Sequence, residues 1–596
     1  MMLTETLKSN FQTLGVEIED GAFIDKCLDL CDIYDISAEV LVEKWIAFMV
    51  EKNIGLEPTL ESLDQMESTV LKKENKNVLG VLKSRSESLI LQSDNSYSNK
   101  NNEDDEDILE IYGYKGPAIQ NVKRSRSPDD SDPSVTPKNK IRALTATFSP
   151  ACYSAKTGTP KRLLDSQTRG RILQTFGNEV ADWKTSKRWE VSVCKTSDPH
   201  VPAQGLYMFD LLAKKASNFQ RVCREFGARL CSTWWQTNDK DKPPITMNVM
   251  NQSQTSFRTW GRVACEMHGK LNSTAVMLEG CKLPPQSRMS CTMLLDLDNL
   301  PSYSIFPGQI LAVEGTNPTG DKLIVTKMFS SGSAEASASL KTKDDVHLVV
   351  ASGPFTDSDS LDYEPLFELM RQVAEMEPHV LVLIGPFVPA NHNDIQNSNV
   401  LDTFEELFEE VIEKIMKYVK GKSTRVVLIP SYRDAHHDPV YPTPEYDIPK
   451  SLRTANLHLM PDPCMLDIEG LTIGVTSVDV IRHIGSEEIS LNMPGMDRLG
   501  RLANHVLAQG CFYPLYPPSN EINVDTTLWE QYAFMYRQPH ILVLPSDMRH
   551  FCKWTNGCLV INPERLNKHS YARVIVRSST DETWTNQQVD CEILKI

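Results

Sequence analysis

Val380-Leu381-Val382-Leu383-Ile384-Gly385-Pro386-Phe387-Val388-Pro389 decides how the second half of this chain folds. A short apolar run stopped by glycine and proline reads as a buried strand. Two similar runs lie on either side. His347–Ser352 is followed by Gly353-Pro354-Phe355, and Val426–Ile429 by Pro430-Ser431-Tyr432-Arg433. Between the second and third, Asp402-Thr403-Phe404-Glu405 opens a helix in the manner of a capping box. Phe404, Leu407, Phe408, Val411, Ile412, Ile415, Met416 and Val419 give that helix a broad apolar stripe, and Gly421 stops it. Strand, helix, strand is the crossover unit of a layered α/β domain. Further runs at Leu471–Thr476, Ile541–Leu544, Gly557–Ile561 and Arg573–Val576 extend it, the later ones spaced closely enough for an antiparallel edge or a second sheet.

In such sheets ligands bind beyond the carboxyl ends of the strands. A pair of metal ions there needs several oxygen or imidazole donors converging on one cleft, to replace the hydration the ions lose. Proline and phenylalanine supply none, so the sequence predicts an enzyme fold kept for its shape. The candidates near strand ends are Asp357, Asp359, His392, Asp394, Asp434, His436, His437, Asp438, Asp479, Asp547 and His550. The densest group, Asp434-Ala435-His436-His437-Asp438, reads as a solvated loop, because adjacent residues seldom point at one ion. Neither a Gly-x-x-x-x-Gly-Lys loop nor a Gly-x-Ser-x-Gly elbow occurs. The expectation is no catalytic residue, no metal and no cofactor.

Upstream, five short runs fall between turn residues: Phe257–Met267, Ala275–Leu278, Cys291–Leu297, Gln309–Glu314 and Leu323–Phe329, preceded by a helix over Tyr207–Leu230. This is the economy of a small barrel of the oligonucleotide/oligosaccharide-binding (OB) type. Single-strand binding would need a basic groove with stacking aromatics. Seven Lys or Arg against six Asp or Glu between Ser253 and Ser330 make a weak one, and Phe257, Trp260 and Phe306 read as core. The chain's net charge of −17 also argues against a protein whose main task is holding nucleic acid.

Residues 1–75 read as a small helical bundle, with Phe23, Cys27, Leu30, Cys31 and Tyr34, then Leu41, Trp45, Phe48 and Met49, at helical spacing. Residues 76–162 are too polar to offset chain entropy and read as a disordered linker. Lys123, Arg124 and Arg126 with Lys138, Lys140 and Arg142 have the spacing of a two-part nuclear import signal, and Ser127, Thr136, Ser149 and Thr159 each precede proline as candidate phosphorylation sites. The 14 cysteines contain no Cys-x-x-Cys pair and read as buried thiols in a reducing compartment. With no membrane-length apolar stretch and no secretion signal, the chain is expected to be soluble and nuclear.

The order of these parts resembles the B-subunit family of eukaryotic DNA polymerase alpha–primase. Leu294-Leu295-Asp296-Leu297, Phe306 to Gly315, Val349 to Phe355, Val382 to Val388, Leu428-Ile429-Pro430-Ser431, Leu544-Pro545-Ser546-Asp547 and Val560-Ile561-Asn562-Pro563 carry the resemblance. It implies a multidomain α+β protein: a helical recruitment module (1–75), the linker (76–162), an OB-fold domain with its preceding helix (163–343), and a calcineurin-like phosphoesterase domain lacking metal ligands (344–596). It further implies a non-enzymatic subunit that grips the C-terminal domain of the polymerase catalytic subunit. That subunit would join the small and large primase subunits through the complex, engage replisome recruitment factors through its N-terminus, and touch DNA only weakly or indirectly. An active metal-dependent phosphodiesterase or nuclease, an independent single-strand binder, and the accessory subunit of another replicative polymerase are the alternatives.

Overall fold

A computed structural model describes residues 23–24, 26–27, 30 and 41–42 and, with short gaps, 170–596. By its contacts the chain divides into two units, Met1–Val135 and Thr136–Ile596. In the first, Phe23, Ile24, Cys27 and Leu30 are helical and buried, as are Leu41 and Val42. The rest of the expected bundle, and the expected linker, import signal and four candidate phosphorylation sites, lie outside the described residues.

The second unit is built on two sheets lying face to face. One runs, edge to edge, through Ile172–Phe176, Val589–Lys595, Ser570–Val576, Val346–Ser352, Val380–Ile384, Arg425–Ile429 and Leu457–Leu459. The last four are parallel. The other orders Phe551–Thr555, Cys558–Asn562, Ile541–Val543, Leu471–Val475, Cys464–Ile468 and Val193–Lys195.

Strand pleating explains why the deciding run is apolar throughout. Val380, Val382 and Ile384 point into the core between the sheets, where they meet Ile473, Val475, Val543 and Ile561. Leu381 and Leu383 point the other way, under the helices Glu364–Met376 and Phe404–Val419. Both faces are dry, so no position can be polar. Helices Val480–Glu487 and Arg498–Gln509 cover the outer face of the second sheet, giving four layers. The capping box of the Phe404 helix forms one residue later than expected: Thr403 Oγ1 accepts from the Glu406 N–H at 3.2 Å, and Glu406 accepts from the Thr403 N–H at 2.9 Å.

One expectation needs correction. Residues 172–195 are expected with the barrel, but Ile172–Phe176 pairs antiparallel with Val589–Lys595 and Val193–Lys195 with Cys464–Ile468. These pairings span several hundred residues and leave no local trace. The closely spaced late runs take both of the arrangements expected of them: Ile541–Val543 and Cys558–Asn562 pair in parallel in a second sheet, while Ser570–Val576 returns to the first, antiparallel to Val346–Ser352.

The barrel closes from Ser253–Cys265, Val276–Glu279, Thr292–Asp296, Lys322–Phe329 and Ile310–Asn317, in that order around its circumference. Helix Leu212–Trp235 lies across it, Phe226 and Leu230 packing with Trp260, Ile310 and Ala312. The approach is so close that a Cβ on Gly227 would sit 1.8 Å from the Trp260 ring.

Barrel and sheets are joined by paired backbone and buried charge. Tyr303–Ile305 pairs antiparallel with Ile489–Leu491. Beside that ribbon the buried Glu488 accepts from Arg501 Nε at 2.7 Å and contacts His505 Nε2 at 3.2 Å. Burial opposes its ionisation, but His505 and Arg501 outweigh burial and hold its carboxyl far below the usual range. Gln509 accepts from the Ile310 N–H at 2.8 Å and donates to the Ile310 and Ser330 carbonyls, completing the seam.

Candidate functional site

The strand ends of both sheets meet around one side chain, Arg565, which directly follows the Cys558–Asn562 strand and Asn562-Pro563-Glu564. Only 1% of the Arg565 residue is exposed. Its Nη1 donates to Ser352 Oγ at 3.0 Å, at the end of a first-sheet strand, and its Nε to Asp547 Oδ1 at 3.1 Å, beyond a second-sheet strand. Asp479 Oδ2 lies 3.8 Å from Nη2.

Asp479 is itself committed. It caps the Val480–Glu487 helix by accepting from the Arg482 N–H at 3.0 Å, and accepts from the Asp547 N–H at 2.7 Å. Desolvation by the surrounding loops would raise the carboxyl of the half-exposed Asp547, but Arg565, Arg433, Arg482 and Lys568 together hold it well below the usual carboxylate range. A fixed guanidinium among these carboxylates repels a divalent cation and already occupies Asp547 Oδ1. Among the described residues no three His, Cys, Asp or Glu side chains could together hold a metal ion, and the residues at this face do not fit a binuclear centre.

The residues of the dense loop disperse. Asp434 turns inward and accepts from the Phe387, Val388 and Ser431 N–H groups at 2.6, 2.8 and 3.2 Å, and from Tyr446 Oη at 2.5 Å. It thereby ties the loop after the third strand to the loop after the second. Burial pushes its pKa up to about 6 against those hydrogen bonds, which lower it. Gly385 permits the arrangement, since a Cβ there would lie 2.8 Å from Asp434 Oδ2.

His436 is stacked between Phe408 and Tyr446, with centroids 4.1 and 5.3 Å away. Burial, with a smaller push from His437, lowers its pKa to about 3, so it serves as a neutral aromatic. His437 Nε2 faces the Pro444 carbonyl at 2.8 Å, and Asp438 is exposed.

The other candidates are equally scattered. His392 caps a short helix, Nδ1 accepting from the Asp394 N–H at 3.2 Å, while its Nε2 faces the Asp357 carbonyl at 3.1 Å. His550 pairs with Glu564 at 3.3 Å. Asp359 lies outside the described residues.

Sequence reasoning missed Arg565, Arg433, Arg482 and Lys568. The available signal was an arginine and a lysine immediately after a strand and its Asn-Pro stop.

A second buried carboxylate gives a pH prediction. Asp462 accepts from the Ser477 N–H at 3.0 Å and from Ser477 Oγ at 2.5 Å, yet burial raises its pKa to about 7. With a folded pKa above the unfolded value of about 4, its contribution is complete below pH ~4 and lost as pH rises through ~7. Asp462→Asn keeps both hydrogen bonds, its amide oxygen facing the Ser477 N–H and its NH2 the hydroxyl. Urea unfolding from pH 5 to 8 is expected to show a shallower pH dependence for Asp462→Asn than for wild type; parallel curves would contradict this.

The barrel's outer face is equally occupied. Arg258 pairs with Glu314 at 2.7 Å and lies over Trp234, while Arg262 pairs with Glu279 and lies over Phe219 and Tyr516. Phe257, Trp260 and Phe306 are buried in cores rather than offered to bases. Along the two strands that usually face nucleic acid in this barrel type, the partly exposed side chains are Met277, Glu279, Thr292, Leu294 and Asp296, two of them acidic and none aromatic.

Residues 348–553 match the B-subunit family of DNA polymerases alpha and epsilon. Residues 225–331 match the OB domain, and residues 5–73 the N-terminal family, of the DNA polymerase alpha B subunit. The chain is 31% identical to the DNA polymerase alpha B subunit of Drosophila melanogaster over an alignment of 638 residues that covers 100% of both proteins. The chain belongs to the family of DNA polymerase alpha B subunits. The mouse B subunit of DNA polymerase alpha is 30% identical over 579 residues, covering 95% of this chain and 93% of that one. The Schizosaccharomyces pombe B subunit of DNA polymerase alpha is 28% identical over 464 residues, covering 71% and 76%. Because the barrel and the N-terminus both match families specific to DNA polymerase alpha, the accessory subunit of another replicative polymerase is set aside.

Proposed function

We propose that this chain is the non-catalytic accessory subunit of the DNA polymerase alpha–primase complex in the nucleus. It supports primer synthesis and the initiation of replication by holding the C-terminal domain of the catalytic subunit on its joined barrel and four-layer body. That body is read as a calcineurin-like phosphoesterase domain without its metal ligands. The small and large primase subunits join through the complex, and the N-terminal module on its linker engages replisome recruitment factors. Lys123, Arg124, Arg126, Lys138, Lys140 and Arg142 direct import, and Ser127, Thr136, Ser149 and Thr159 receive phosphate.

The observation that carries this reading is Arg565, a buried guanidinium holding the strand ends of both sheets where a hydrolase would need open metal positions. A phosphodiesterase built on Asp434 to Asp438 has against it a loop whose aspartate is committed to three backbone N–H groups and whose His436 is packed as a ring. A joined pair of domains suits a large permanent interface. Affinity purification of the tagged chain from cells, with quantification of co-purifying proteins, tests the proposal. The polymerase catalytic subunit and both primase subunits are expected in equal amounts. Recovery of the chain without them would refute it.

A further inference from the structure

Residues 205–212, Gly-Leu-Tyr-Met-Phe-Asp-Leu-Leu, are folded inside out. Their polar groups face the protein: the Met208 N–H donates to Asp525 Oδ2 at 2.7 Å, and Asp210 accepts from Thr526 Oγ1, the Thr527 N–H and Thr527 Oγ1 at 2.8, 3.0 and 2.5 Å. Their apolar groups face solvent, Leu206, Phe209, Leu211 and Leu212 being 84, 76, 75 and 85% exposed. These hydrogen bonds fix the segment to the start of helix Thr526–Tyr532, so its apolar side chains are held outward by the segment's own anchor.

Leu212 opens helix Leu212–Trp235, and the helical repeat places it on one face with Lys215 and Phe219. Those two residues line a groove completed by Leu515, Tyr516, Pro518 and Trp529. Leu212 therefore leads into an apolar groove beside the junction of barrel and sheets. Solvated apolar surface of this kind marks an interaction site.

Charge selects the occupant. At the segment's end of the helix stand Lys214 and Lys215, Lys214 also pairing with Asp210 at 3.5 Å, while Arg221 further along is paired with Glu530. The two carboxylates of the segment's own anchor, Asp210 and Asp525, are turned inward. The surface presented is thus apolar with a cationic margin along the helix, at Lys214 and Lys215.

We propose that Leu206, Phe209, Leu211 and Leu212, with the groove beyond them, seat an amphipathic helix of the polymerase catalytic subunit whose apolar stripe is flanked by acidic residues. This rests on the accessory-subunit reading and names the surface that serves it. A permanent subunit is the fitting occupant because an uncovered display of four large side chains would favour self-association.

The test mixes the full chain with the full-length catalytic subunit and measures affinity alongside thermal melting of each variant. Phe209→Glu with Leu212→Glu is expected to weaken binding about 100-fold with an unchanged melting temperature, since both side chains are exposed. Lys215→Glu, which leaves the Lys214–Asp210 pair in place, is expected to weaken it about 5-fold, with the loss shrinking at high salt. Wild-type affinity in the folded Phe209→Glu/Leu212→Glu protein would overturn the proposed surface while leaving the accessory-subunit reading intact. Failure of the wild-type chain to bind the catalytic subunit would overturn both. Binding of single-stranded DNA that depends on Lys215, with no effect of the Phe209 and Leu212 substitutions on the catalytic subunit, would assign the face to nucleic acid instead.

Discussion

Replacing Arg565 with leucine is expected to destabilise the chain by about 3 kcal/mol, the low end of the range for breaking a buried pair by removing one partner. The deletion leaves Asp479 buried with Arg482 as its remaining cation and Ser352 Oγ without its donor, and it separates the loops that end the two sheets. Asp547 moderates the loss, because 43% of its side chain is exposed and water can replace the guanidinium. Arg565→Lys is expected to recover only part of it, since an ammonium cannot span Ser352 and Asp547 together. Urea unfolding of the full chain checks the series. A loss under about 1 kcal/mol for Arg565→Leu would mean that the strand ends hold together without the guanidinium.

Asp434→Ala is expected to have a comparable effect, about 3 kcal/mol. It strands the Phe387, Val388 and Ser431 N–H groups and the Tyr446 hydroxyl in a dry interior, each a cost of about 1–3 kcal/mol if no water enters. Relief from burying a carboxylate offsets part of the sum. Asp434→Asn separates the contributions. Its amide oxygen can still accept from Phe387 and Val388, and Tyr446 can turn to accept from the amide nitrogen, so only the Ser431 N–H loses its acceptor. A loss of about 1–2 kcal/mol is expected for that variant. Equal losses for the two variants in chemical denaturation would contradict this, because the asparagine keeps the side-chain volume and most of the hydrogen bonds that the alanine removes.

Much of the architecture was legible because it rests on short-range patterns. Val380–Ile384 stands where its apolar run predicts, and Phe404–Val419 follows from its stripe, cap and terminal glycine. The five barrel strands follow from runs separated by turn residues. Pairings across long sequence distances were not legible: nothing in Ile172–Phe176 announces Val589–Lys595 as its neighbour.

The strand-end face was harder to read, for a different reason. Residue types showed which donors were missing, but the filling of the space depends on which side chain arrives there. Arg565 reaches Ser352 from 213 residues away. Within Asp434 to Asp438, four polar side chains take four environments: a set of backbone donors, an aromatic stack, a carbonyl and solvent. Adjacency in sequence therefore overstated their association.

Titration of the full chain with manganese, followed by assay of a generic phosphodiester in the same solution, tests most directly whether the strand-end face is filled by the protein's own side chains. The account predicts no saturable binding of manganese below millimolar concentrations and no hydrolysis above the uncatalysed rate. Stoichiometric uptake of two ions, accompanied by hydrolysis that a His436→Ala substitution abolishes, would contradict it.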